Sequence, residues 1–220
     1  ASKSPKAGSM VRFGGCLETF APGDKDQLTG VTVLKSAKLT PAGAFTVEMW
    51  IKPKKELADY SEAFLADKKY VAHTDYQLTL GVADKGGQRR LNMRLGFGED
   101  SENYVSEPAV YEAGVWHHVA FTYDGAGAGR FYRDGAALGG AGKAGRGGIA
   151  AGNHPLSIGD RIGSLYHGFP GYIAQVRLCN GVLEFRSAAV SCESDRDVFV
   201  RMEPAPPLVF AVFNLQRTAM

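Results

Sequence analysis

No run in this sequence is apolar for long enough to cross a bilayer. The best candidate, Leu208-Val209-Phe210-Ala211-Val212-Phe213, falls far short of the roughly 20 residues a spanning helix needs. Cysteine is scarce: Cys16, Cys179 and Cys192 are too few and too scattered for a disulfide scaffold or a zinc knuckle, although one pair can still bridge. An excess of one charge is also missing. The 25 basic and 23 acidic residues leave a formal charge of +2, which argues against the clustered basic footprint of a nucleic-acid-binding protein. With two tryptophans, Trp50 and Trp116, no tryptophan-rich binding face can be built. No dozen residues sustain a 3.6 period, so a long helix is not expected, and residues 56–64 remain as a candidate for a short one. Residues 1–6 lack the apolar centre of a signal peptide. They read either as a mature end after presequence removal or as an arbitrary boundary, so extracellular and organellar locations both stay open.

What is present is β-structure. FTVEMWIKP at residues 45–53 mixes β-branched and aromatic residues in alternation and stops at a proline that cannot donate to a ladder. VWHHVAFTYDG at 115–125 is followed by FYRDG at 131–135, and FPGYIAQVRL occupies 169–178. Shorter strand-like runs lie at 77–81, 90–97 and 155–159, separated by turn residues. In residues 116–123 both alternating sets contain large apolar groups, which suits an inner strand covered on each face. Asp124-Gly125 and Asp134-Gly135 are hairpin turns, and the glycine-rich residues 139–148 are expected to form a loop at the sandwich edge. The pattern predicts an all-β sandwich or barrel. At 220 residues it can bury a core without metal or disulfides.

In their order and spacing, FTVEMWIKP, VWHHVAFTYDG with FYRDG, and FPGYIAQVRL resemble the laminin-G-like jelly roll of the concanavalin A-like lectin/glucanase superfamily. SMVRFGG at 9–15 and VTVL at 31–34 fit the start of that pattern. The resemblance agrees with the pattern and implies a two-sheet antiparallel jelly-roll sandwich over residues 9–187, leaving 188–220 as a C-terminal extension. It also implies that Trp50 and Trp116 are buried core anchors. The first and last strands should be neighbours, which brings Cys16 near Cys179 or Cys192. Family members often hold calcium with an Asp-Glu pair where this chain has Ala174 and Gln175, so neither calcium nor another cofactor is expected. Laminarinase-type relatives carry an alternating acidic cluster on one strand. Glu48 here is a lone acid, and residues 99–102 do not reproduce the spacing, so the chain is not expected to be an enzyme.

Other candidate chemistry is weak. Residues 140–145 formally match GxGxxG, but no helix pattern follows to receive a phosphate. His117 and His118 are adjacent on a strand, point to opposite faces, and cannot converge on one metal. For sugar recognition the resemblance points to rim loops, where Tyr70, His73, Tyr76, Tyr104, Tyr166 and His167 offer stacking surfaces and polar tips. In the extension, Pro204, Pro206 and Pro207 enforce extended chain before Leu208, Val209, Phe210 and Phe213, which are read as partner-docking residues. Two functions follow. One is a non-catalytic binding or scaffolding domain that recognises a glycan or protein partner through rim loops. The other is an accessory subunit of a larger assembly, anchored by its tail and peripheral to any membrane. A degenerate glycoside hydrolase is a distant third.

Overall fold

The computed structural model describes residues 16–20, 30–59, 62–163, 168–185 and 209–213. Thirteen strands follow one another along these residues. They are β1 (Leu17–Thr19), β2 (Val31–Val33), β3 (Phe45–Pro53), β4 (Ala63–Asp67), β5 (Tyr76–Leu80), β6 (Leu91–Gly96) and β7 (Ser101–Val105). They continue with β8 (His117–Tyr123), β9 (Ala128–Arg133), β10 (Ala136–Gly142), β11 (Leu156–Ile158), β12 (Gly171–Asn180) and β13 (Val209–Phe213). One antiparallel sheet runs β1-β12-β3-β8-β9-β10, with β13 also on β12; the other runs β2-β11-β4-β5-β6-β7. The all-β sandwich expected from the sequence is the observed architecture.

Alternation explains the core. Along β3, Phe45, Val47, Met49 and Ile51 point between the sheets, while Thr46, Glu48, Trp50 and Lys52 point away from them. The facing sheet supplies Leu78, Leu80, Leu91, Met93 and Leu95. Each such side chain contributes roughly 1.5–3 kcal/mol on burial, before ordering costs are subtracted. Phe121 sits at the centre, with its ring 4.8 Å from Phe131, 5.6 Å from Tyr104 and 6.4 Å from Phe45.

The outer face of β8 is also covered, as its composition suggested. After β12 the chain turns back across the sheet. Thr46 Oγ1 donates to the Gly181 carbonyl at 2.9 Å and accepts from Leu183 N–H at 3.0 Å. Leu183 and Phe185 then pack on Ala120, Cys179 and Tyr132. Beneath them Glu48 is 1 % exposed, bonded to His118 Nε2 at 2.8 Å and ion-paired with Arg177. A carboxylate this buried is tolerable because cationic and hydrogen-bonding partners replace its water.

Several expectations are corrected. Trp50 and Trp116 are half-buried rather than core residues, because Trp50 lies in the outward set of β3 and Trp116 precedes β8. The Trp50 ring meets the edge of His118, and Lys52 lies over Trp116 at 5.2 Å. Residues 56–64 are not one helix: a 3₁₀ turn, Lys55–Asp59, is followed by β4. The glycine-rich stretch is partly ordered as β10, hydrogen-bonded to β9 with an irregularity between Ala137 and Gly140. Glycine suits that position because Gly139 has φ +78° and a Cβ on Gly140 would strike the β9 backbone.

β1 does pair with β12. Cys16 and Cys179 are both free thiols, while Cys192 and the opening run at 9–15 lie outside the described residues. β13 pairs with Val176–Cys179 on the same edge that β1 uses, so part of the extension lies on the chain's own sheet. Leu208 is outside the described residues, and for Val209, Phe210 and Phe213 the description is limited to this backbone pairing.

Candidate functional site

Register assembles a polar row on the outer face of the six-stranded sheet. Thr32 pairs with Ser157, Ser157 with Asp67, Asp67 with Gln77, Gln77 with Arg94 and Arg94 with Asn103. One polar residue from each strand therefore stands in line. Leu78, Met93 and Tyr104, one position along, form the apolar row on the inner face. A second outward row runs Phe64, Thr79, Asn92 and Val105. The step between Phe64 and Ala66 in the β4–β5 register inserts one extra residue, so Phe64 and Asp67 can both lie on the outer face.

Asp67 organises the centre. It is fully buried and accepts from Gln77 Nε2 at 3.0 Å, Lys69 N–H at 3.0 Å, Tyr70 N–H at 2.8 Å and Ile162 N–H at 3.1 Å. Four donors match the lone-pair capacity of a carboxylate. Two of these bonds close the turn that holds Tyr70 at φ 53°, a left-handed conformation a tyrosine seldom adopts. Arg94 donates to Gln77 Oε1 at 2.8 Å and to Glu62 Oε1 at 3.2 Å, and Thr79 adds a 2.8 Å bond to the same Glu62 oxygen. Lys69 is buried with its ammonium on the Ala72 carbonyl. Burial first holds its pKa below the usual lysine range; nearby Asp67 opposes the shift and the Arg94 charge adds to it.

The rim beside this row brings a guanidinium against aromatic rings. The Arg161 guanidinium lies 5.1 Å from the Tyr70 ring and 5.8 Å from Phe64, and His154 meets Tyr70 edge-on at 5.8 Å. Among the described residues Arg161 Nε has no hydrogen-bond partner.

Of the rim candidates read from sequence, Tyr70 stands at this site. His73 is exposed elsewhere, 2.8 Å from Ser101 Oγ. Tyr76 and Tyr104 are corrected: both are core residues, 1 % and 0 % exposed, because they fall in the inward sets of β5 and β7. Burial pushes both phenols well above the ordinary tyrosine pKa. Tyr166 and His167 lie outside the described residues. Sequence reasoning missed Asp67, Gln77, Arg94 and Arg161. The alternation in QLTL and LNMRL marks residues 77, 79, 92 and 94 as outward, but the register that aligns them is a property of the sheet.

The remaining polar clusters are structural. His117 and His118 do face opposite ways, His117 toward Asp134 at 3.2 Å and His118 toward Glu48. The GxGxxG segment is β10 and the turn after it, with no helix following. Gln175, where the family places an acid, has φ 49° at an irregularity of β12 and is exposed, while Ala174 is buried. Among the described residues no group of three or more His, Cys, Asp or Glu is placed to hold a metal, and no helix is long and apolar enough to cross a membrane.

Arg146 clamps the segment after β10 onto β7 through a fork to Asp100 at 2.7 and 2.8 Å and an ion pair with Glu102. That hydrogen bonding holds both carboxyls below their usual range. The clamp is therefore complete above the ordinary carboxylate pKa and is lost as pH falls through the depressed values. Arg146→Ala is expected to move both titrations upward in a carbon-detected NMR experiment; unchanged titrations would remove the clamp from this description.

A family model described as the concanavalin A-like lectin/glucanases superfamily matches residues 25–186. No curated protein matches the sequence. Among solved structures, a native heptameric SAP-like pentraxin from Limulus polyphemus superposes with a TM-score of 0.58 at 18 % identity, covering 81 % of this chain and 82 % of that one. The Ruminococcus gnavus IT-sialidase CBM40 bound to α2,3-sialyllactose gives 0.52 at 17 %, covering 76 % and 89 %. Domains LG4-5 of the mouse laminin α1 chain give 0.51 at 18 %, covering 81 % of this chain but 47 % of the laminin piece. At these identities the likeness is one of fold.

Proposed function

Since the chain belongs to the concanavalin A-like lectin/glucanase superfamily, we propose that it is a non-catalytic binding domain that holds a glycan on the outer face of its six-stranded sheet. The observation that carries this reading is the polar row from Thr32 to Asn103 with the rim of Tyr70, Arg161 and His154 at its side. A sugar needs directional polar groups for its hydroxyls and a flat surface for its ring face. Ser157, Asp67 and Gln77 at the middle of the row are buried and act as its foundation, and the groups open to a ligand are Arg94 and Glu62 beside the half-buried Tyr70 and Arg161. A ligand carried by the solved CBM40 relative is consistent with such a use of the fold, although sites and not folds decide function.

The alternative of a tail-anchored accessory subunit loses its main argument, because β13 occupies an edge of the chain's own sheet. Calorimetric titration of the full chain against an immobilised-glycan hit tests the proposal. Tyr70→Ala and Arg161→Ala are expected to weaken binding at least tenfold while the melting temperature stays close to that of the parent. Full affinity in both variants would place the ligand elsewhere and overturn the site.

A further inference from the structure

The hydrogen-bond inventory of this face narrows its ligand, on the premise that the face is the glycan site. Its acceptors are largely occupied. Asp67 already receives four donors, Gln77 Oε1 receives Arg94, and Glu62 Oε1 receives both Thr79 and Arg94. Asp160, at the base of the rim, accepts the Arg161 N–H at 2.7 Å. Its donors are not occupied to the same degree. A guanidinium carries five N–H groups. The bonds that Arg94 makes to Gln77 and Glu62 leave several of them over, and its side chain is 39 % exposed. Arg161 lies over two rings, 5.8 Å from Phe64 and 5.1 Å from Tyr70, and its Nε has no hydrogen-bond partner among the described residues. Lys69 sits buried two residues on from Asp67, and the Arg94 charge adds to the effect of burial in holding its pKa down.

We infer that the glycan bound here is a sugar acid, its ring carboxylate received by Arg94 and Arg161 and its hydroxyls by Glu62 and the edge of the polar row. An ionised carboxylate is acceptor-only and planar, so it complements a surface whose spare groups are donors held in planar forks. A densely sulfated chain is a poorer match. It would meet Glu62 and the acidic base of the rim with several charges at once, and the chain as a whole has a formal charge of only +2.

Paired probes test this on the full chain. The array carries uronic-acid oligosaccharides, the same oligosaccharides as methyl esters, neutral oligosaccharides of equal length, and sulfated ones. Binding is expected for carboxylate-bearing members, with loss in the ester twins and weakening as salt is raised. Arg94→Gln and Arg161→Gln should each weaken it about ten- to a hundredfold, the range for a lost charged hydrogen bond. The Arg161 variant guards against a folding artefact, since that side chain carries no hydrogen bond among the described residues. Equal binding of acid and ester, or binding of sulfated members alone, overturns the inference. If neutral members bind and Tyr70→Ala abolishes it, the glycan site stands and its acidic specificity falls. If nothing binds, both fall together.

Discussion

Alanine at Asp75 is expected to cost about 3–5 kcal/mol of unfolding free energy, the range for breaking a buried ion pair from one side. Asp75 and Lys68 are 0 % and 1 % exposed and pair at 2.9 Å. The same carboxylate accepts Thr40 Oγ1 and the Gly152 N–H, joining three segments that are far apart in sequence. Removing it strands an ammonium in the interior and frees the turn at φ 58° that Asp75 itself occupies. Urea denaturation followed by tryptophan fluorescence reads the loss as a lower midpoint at unchanged slope. The double replacement Lys68→Met with Asp75→Leu should recover much of it, because two apolar groups of similar volume leave no unpaired charge. A single variant as stable as the parent would show that the pair contributes nothing.

Phe121→Ala should be comparably severe, at about 3–5 kcal/mol, whereas Trp50→Ala should cost clearly less. The contrast follows from pleat and not from size. Phe121 is fully buried among three aromatic rings, and the cavity left by its removal cannot be closed by a backbone held in β3, β8 and β9. Trp50 is the larger side chain but stands half-exposed on the outward set of β3. Thermal melts of the two variants compare them directly. Equal losses would mean that the outer face of the seven-stranded sheet is a second core.

The fold was legible because its signals are local and repeated. Alternation in FTVEMWIKP and HHVAFTY places Phe45, Val47, Met49, Val119 and Phe121 on one face, and the sheet agrees. The same alternation puts Trp50 on the outward face of β3, where the family resemblance implies a buried anchor. The glycines of β10 were read as loop because glycine lowers strand propensity, yet pairing with β9 decides the matter. The site was less legible for a deeper reason. Asp67, Gln77 and Arg94 become neighbours through register and the extra residue in β4, and Arg161 arrives from another loop. No spacing in one dimension encodes such a meeting. Two of the tyrosines chosen for their chemistry, Tyr76 and Tyr104, fell on the wrong parity of their strands.

The saturated centre of the polar row also bears on how such a domain can change over generations. Asp67 and Gln77 are bound to backbone and to each other, so a substitution there is expected to alter folding. Thr32 and Asn103, at the two ends, are exposed. Substitution at the ends is therefore expected to leave the fold intact, while the middle is held in place by its own bonds.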